Sequence, residues 1–203
     1  MTNNNIGQFF CWSIIYVLTF TTVEGQSLTA SKTWMTKVKS LIPDNYEIKA
    51  LKFGHLNNDT LTDAVLIIKS KFEELEDSIQ RDQYRPLLIV IQQNDKSFKV
   101  VKRNDHVVLC KNCGGTFPDP YEELIVENKM FQIIFSGGSR WRWTREIEFG
   151  YDPSISNWIL INDSGVAYDG LQLDSLEYPK DIVYTSLDKG KTKITIDSYK
   201  GDN

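Results

Sequence analysis

Histidine occurs only twice, as His55 and His106, and cysteine three times, as Cys11, Cys110 and Cys113. So few nitrogen and sulfur ligands leave no second pair to close a tetrahedral zinc site. The chain carries no Ser–His–Asp set, metal-hydrolase helix motif, phosphate-binding glycine loop or dinucleotide fingerprint. General acid–base chemistry would fall to carboxylates, and no pair of them stands out from the solvated background. Prolines number six, and there is no low-complexity tract or internal repeat, so the chain is not a linker. A basic stripe is also missing. The formal net charge is −4, which argues against a nucleic-acid or anionic-membrane partner.

What is present begins with an apolar stretch from Ile6 to Val23, dense in Phe9, Phe10, Trp12, Ile14, Ile15, Val17, Leu18 and Phe20. Its length and the small residues around Val23-Glu24-Gly25 suit a signal peptide over residues 1–25, cut after Gly25. An uncleaved membrane anchor is the alternative; the stretch barely reaches the roughly 20 apolar residues that span a bilayer and has no basic flank. Cleavage removes Cys11 and one charge, Glu24. Residues 26–203 then form one mildly acidic domain of ordinary size, with an even cysteine pair in an oxidising compartment, periplasmic or secreted.

The periodicity predicts a mainly β fold. Trp34, Met35, Val38, Leu41 and Ile42 recur at helical spacing, with Ser31 as N-cap and Pro43-Asp44-Asn45 as the stop. The period then changes to two, with Tyr46, Ile48, Ala50 and Lys52 on one face and Glu47, Lys49, Leu51 and Phe53 on the other. Ala64–Ile68 and Leu87–Ile91 read as buried strands, and Lys71–Gln83 as a short surface helix or ordered loop. Phe98–Lys102 returns as a hairpin mate after Asn94-Asp95-Lys96-Ser97. Leu124–Glu127 and Met130–Phe135 form a second hairpin about Asn128-Lys129. Trp141, Trp143, Ile147, Phe149 and Tyr151 share one face of a long strand, Arg145 being the exception. Arg142, Thr144, Glu146 and Glu148 share the other. Strands at Asn157–Asn162 and Thr192–Ser198 follow. Sequential hairpins behind one N-terminal helix imply an antiparallel meander, propeller-blade-like or sandwich-like.

Three segments could carry chemistry. In the loop Gly54–Asp63, the residues Asn57, Asp59 and Asp63 fall at alternate positions of a calcium-type loop, with the Leu61 carbonyl between them. His55 stands where such loops open with a carboxylate, and Thr60 where they place glycine. Ligand count therefore prefers a turn held by Asx hydrogen bonds, with calcium as the candidate ion. Cys110-Lys111-Asn112-Cys113 reads as a zinc half-site, a redox pair or a structural disulfide. Gly114-Gly115-Thr116-Phe117-Pro118 behind it is a loop, not the helix start that lowers a thiol pKa, so the structural ring is preferred. Arg140, Trp141, Arg142 and Trp143 join indole faces to bidentate donors, a combination suited to sugars, cations or carboxylates. In the bland alternative the tryptophans are core, and the arginines tie loops to Asp119 or Glu122. Arg142 has the better claim to the surface.

Pro43-Asp44-Asn45-Tyr46, the Leu56–Asp63 loop, Arg85-Pro86-Leu87-Leu88, Arg103-Asn104-Asp105, Cys110-X-X-Cys113-Gly114-Gly115, Asp119-Pro120 and Gly137-Gly138-Ser139-X-Trp141-Arg142-Trp143 together carry a resemblance. Over roughly Ile42 to Trp158 the chain resembles small exported bacterial proteins with an FG-GAP-like (integrin-type) aspartate loop. In them the loop opens with Asp and carries Gly where this chain has His55 and Thr60. Cleavage before a glutamine in an Asn- and Lys-rich chain is similar to Bacteroidetes-type secretion, and implies a periplasmic home. The expectation is a non-enzymatic binding or accessory protein without a cofactor. Its surface would combine the cysteine loop, Asp119 and Arg140 to Trp143, and its partner would be a cell-envelope glycan or protein. The rivals are a hydrolase of cell-wall material acting through Asp119 or Glu122, and a thiol–disulfide protein.

Overall fold

The computed structural model describes residues 34–73, 85–171, 182–185 and 193–201; the apolar N-terminal stretch, Ser31 and most of Lys71–Gln83 lie outside them. Residues 34–39 form the expected helix, which ends before Pro43. Among the described residues nine strands follow: β1 (Tyr46–Gly54), β2 (Asp63–Ser70), β3 (Arg85–Gln92), β4 (Phe98–Val108), β5 (Tyr121–Glu127), β6 (Met130–Gly138), β7 (Trp141–Asp152), β8 (Asn157–Asp169) and β9 (Ile182–Thr185). All pairings between these strands are antiparallel between sequence neighbours, giving a four-stranded sheet β1–β4 and a five-stranded sheet β5–β9. The fold is mainly β, as two meanders.

Both faces of the first sheet are buried, which is why β2 and β3 are continuous apolar runs and not alternating ones. One face packs Ala64, Leu66, Ile68, Leu88 and Val90 against Val38 of the helix. Trp34 adds its ring 5.5 Å from Phe53 and 6.1 Å from Phe98. The other face places Val65, Ile67, Leu87 and Ile89 against Leu124, Phe131, Ile133, Phe135, Ile147 and Phe149 of the second sheet. A layered helix–sheet–sheet packing results.

β1 departs from the expected alternation. Its register skips between Ile48 and Ala50, so Lys49 is an extra residue and the period changes phase there. Tyr46 and Ile48 therefore share the helix-side cluster with Leu51 and Phe53, and Ala50 joins the inter-sheet core. The expected final strand is also different. Thr192 lies outside the described residues, and only Thr195 bridges, to Ile159, before a turn at Ile196–Ser198. This tail still docks firmly. Ile196 and Tyr199 are buried, and Asn104 donates to the carbonyls of both while accepting from the amides of His106 and Val107.

Turn chemistry follows sequence closely. Asn128 and Lys129 take φ of 49° and 66°, the left-handed pair that a two-residue hairpin requires. Asp95 accepts the Ser97 amide at 2.8 Å in the β3–β4 turn.

Candidate functional site

The cysteine loop and the Gly-Gly-Ser-Arg-Trp-Arg-Trp segment, more than twenty residues apart in sequence, meet at one end of the second sheet. A disulfide joins Cys110 and Cys113, whose Cα atoms are 5.1 Å apart, and a short 3-10 turn spans Lys111–Gly114. Behind the pair the chain continues through Gly115 to Pro118 as a loop and not a helix, as expected, and the four-residue 3-10 turn itself is no helix N-terminus. Cys110 is buried. The following loop bonds to the end of β6: the Thr116 amide donates to the Gly138 carbonyl at 3.2 Å, and Gly115 bridges Gly138. Gly137 is needed for close approach, because a Cβ there would stand 2.6 Å from the Trp143 indole and 2.7 Å from the Gly114 carbonyl. Gly138 turns the chain at φ 105°.

Where this loop folds over β5–β8, a cleft of about 510 Å³ opens, lined by Phe117, Asp119, Glu122, Arg142, Trp143 and Tyr168 with neighbours such as Ser136. That volume falls in the range of roughly 300–1,000 Å³ usual for small-molecule sites. Three of the five residues expected on a binding surface line this cleft. Arg142 and Trp143 line the cleft, and Asp119 forms part of its wall. Arg140 does not line it and is held instead to Asp169 at 2.9 Å. Trp143 packs against the core edge as expected. Trp141 does not, being 61% exposed, because the apolar cover over this face of β7 ends at Trp143.

Asp119 is not tied by Arg140 or Arg142. Its carboxylate accepts Arg85 Nη1 and Nη2 at 2.7 and 3.0 Å and Lys49 Nζ at 2.7 Å. Lys49 is the bulge residue of β1, and the bulge aims it here. Arg85 is almost fully buried and also donates to both oxygens of Glu73. Burial pushes the Asp119 carboxyl up, but the hydrogen bonds and charges of Arg85 and Lys49 outweigh it and hold it at about 2. Sequence reasoning passed over Arg85 because nothing at an Arg-Pro strand entry signals a buried cation. Glu122 accepts the Ser136 hydroxyl.

Arg142 behaves differently from every other described arginine. Arg85, Arg103, Arg140 and Arg145 each have a carboxylate partner. The Arg142 guanidinium sits 5.1 Å over the Phe117 ring and, among the described residues, makes no ion pair or hydrogen bond. Arg145, the exception on the inner face of β7, forks onto buried Asp163 at 2.8 and 2.8 Å and donates to Tyr199 and the Gly201 carbonyl.

The aspartate loop takes the geometry of an Asx turn. Asn57 Oδ1 accepts the Asp59 amide, Asp59 Oδ1 accepts the Leu61 amide, and Asn57 Nδ2 donates to Asp59 Oδ2. His55 Nδ1 pairs with the Leu61 carbonyl at 2.9 Å. Asp63 turns inward, fully buried, and accepts the amides of Leu56 and Gln92 at 3.0 Å each; burial pushes its carboxyl up against those bonds. The candidate calcium oxygens thus have protein partners, and among the described residues no cluster of three His, Cys, Asp or Glu is placed to hold a metal. A larger cleft of about 760 Å³ runs beside this loop, lined by His55, Asn58, Asp59, Glu127 and Lys129 among others. Most of its polar side chains are already bonded, Lys129 to Asn58, His55 to the Leu61 carbonyl and Asp59 to Asn57 and the Leu61 amide, and the group left over, Glu127, is an acid and not a cation. The Arg142 cleft is therefore the better candidate, although it is the smaller. No protein-family model, no curated protein and no solved structure matches this chain.

Proposed function

We propose that this chain is a non-enzymatic binding or accessory protein of the cell envelope, and that the cleft of Phe117, Glu122, Arg142, Trp143 and Tyr168 is its ligand site. The observation that carries the reading is Arg142. A guanidinium with no acid partner among the described residues stands at the mouth of an aromatic cleft whose loop is stapled by a disulfide. Aromatic faces beside a few convergent polar groups are what saccharide rings and other small amphipathic ligands require. A cell-envelope glycan is the ligand class that fits. Export is inferred from the apolar N-terminal stretch and agrees with an oxidised cysteine pair.

The hydrolase reading has one observation in its favour: Asp119 and Glu122 both line the cleft. Against it, Asp119 is held ionised by Arg85 and Lys49, the opposite of the raised carboxyl that an acid catalyst uses. The thiol–disulfide reading has a buried Cys110 against it.

The test is to titrate the mature chain with cell-envelope saccharides, following tryptophan fluorescence and product formation together. Saturable quenching without product, lost in Arg142→Ala, supports the reading. Turnover of the saccharide, or quenching that Arg142→Ala leaves unchanged, overturns it.

A further inference from the structure

The geometry points to an acidic saccharide as the ligand, its carboxylate forked on Arg142 and its ring against the aromatic wall. This rests on the binding reading above and makes it chemically specific. The Arg142 Cζ stands 5.1 Å over the Phe117 ring, and a cation–π contact of this kind occupies none of the five N–H donors of the guanidinium. None of these donors is taken within the described protein. The partner that satisfies such a fork is a carboxylate, bound through two parallel charge-assisted hydrogen bonds. Among the described residues the nearby acids are committed elsewhere: Asp119 to Arg85 and Lys49, Asp169 to Arg140, and Glu122 to the Ser136 hydroxyl.

The strand register sets the reach. Arg142 pairs with Gly138 of β6 and Tyr168 of β8, while Glu122 lies on β5 beside Ser136 of β6. Arg142 and Glu122 are thus two strands apart, about 10 Å across the sheet, and offset by two residues, about 7 Å, along it. A ligand between them would present an anionic group at the β7 end and hydroxyl donors at the β5 end. A uronic acid ring, or a sugar with an acidic side arm such as muramic acid, has that polarity. A neutral glycan would leave the guanidinium unpaired, and a free carboxylic acid would leave Glu122 and the aromatic wall unused.

Calorimetric titration of the mature chain would compare trimers of galacturonic and mannuronic acid with their methyl esters. N-acetylmuramic acid compared with N-acetylglucosamine separates an acidic side arm from a ring carboxylate. At least one acid should bind tenfold or more tighter than its neutral counterpart. Arg142→Ala should abolish that preference, and Arg142→Lys, a charge without a fork, should restore only part of it. Equal binding of acid and neutral forms overturns the inference while leaving a glycan-binding cleft. So does an acid preference that survives Arg142→Ala. Binding of no saccharide, charged or neutral, overturns the inference and the binding reading together.

Discussion

Arg85 of β3 grips Asp119, at the entrance to β5, through both of its terminal nitrogens, and so ties one sheet to the other with a buried cation. Asp119 lines the cleft, yet its charge belongs to the framework. Removing it leaves a guanidinium that is 2% exposed with Glu73 as its one remaining acid partner among the described residues. Asp119→Ala should therefore lower stability by about 3–5 kcal/mol in chemical denaturation, with Glu73 offsetting part of the loss. Arg142→Ala, at an exposed and unpaired position, should stay within about 0.5 kcal/mol of wild type.

Acid sensitivity follows from the same contact. The Asp119 carboxyl is held at about 2 in the folded chain, below its ordinary value, so its stabilisation is complete at neutral pH and is lost as pH falls from about 4 toward 2. The contribution is at most roughly 2 kcal/mol, reduced by solvent screening because the side chain is partly exposed. Asp63, pushed up by burial, works in the opposite direction: the cost of its ionised form is relieved as pH falls through its raised folded value. Denaturation midpoints between pH 2 and 5 should drop for wild type and drop less steeply for Asp119→Asn.

Gly137→Ala forces a methyl group into the Trp143 indole and the Gly114 carbonyl. Overpacking of this kind costs about 1–3 kcal/mol. Because the displaced ring lines the cleft, the tryptophan emission spectrum should shift in the same variant.

Cutting the disulfide should act locally. Its four-residue ring accounts for about 2 kcal/mol on a chain-entropy estimate. Cys110→Ser with Cys113→Ser should lower the melting temperature modestly. It should also speed hydrogen exchange at the Gly114 and Thr116 amides, which bond the Pro118 and Gly138 carbonyls, while leaving β2 and β3 protected.

Much of the fold was legible because hairpins carry local codes. Asn128-Lys129 and Asp95 mark their turns, and the β2 and β3 runs announce strands buried on both faces. The bulge at Lys49 was not legible, since no residue type encodes a register skip, and it reversed the assigned faces beyond Ile48. At the site, Arg142 was placed on the surface by strand alternation alone. The exposure of Trp141 was missed because alternation states which face a side chain takes, not how far the opposite layer extends. The partners of Asp119 were missed because a long-range ion pair leaves no local pattern. The tail at Thr195–Tyr199 alternates like a strand, but its residues fill a gap against Asn104 and Arg145 and pair only once.

Mapping backbone amide shifts by NMR while titrating the protein with a galacturonic acid trimer, a mannuronic acid trimer or N-acetylmuramic acid tests the central claim most directly. The account predicts saturable shifts gathered at Phe117, Ser136, Arg142 and Tyr168. Shifts gathered instead at His55, Asn58 and Lys129 around the larger cleft, or no saturable shifts for any of these acids, would contradict it.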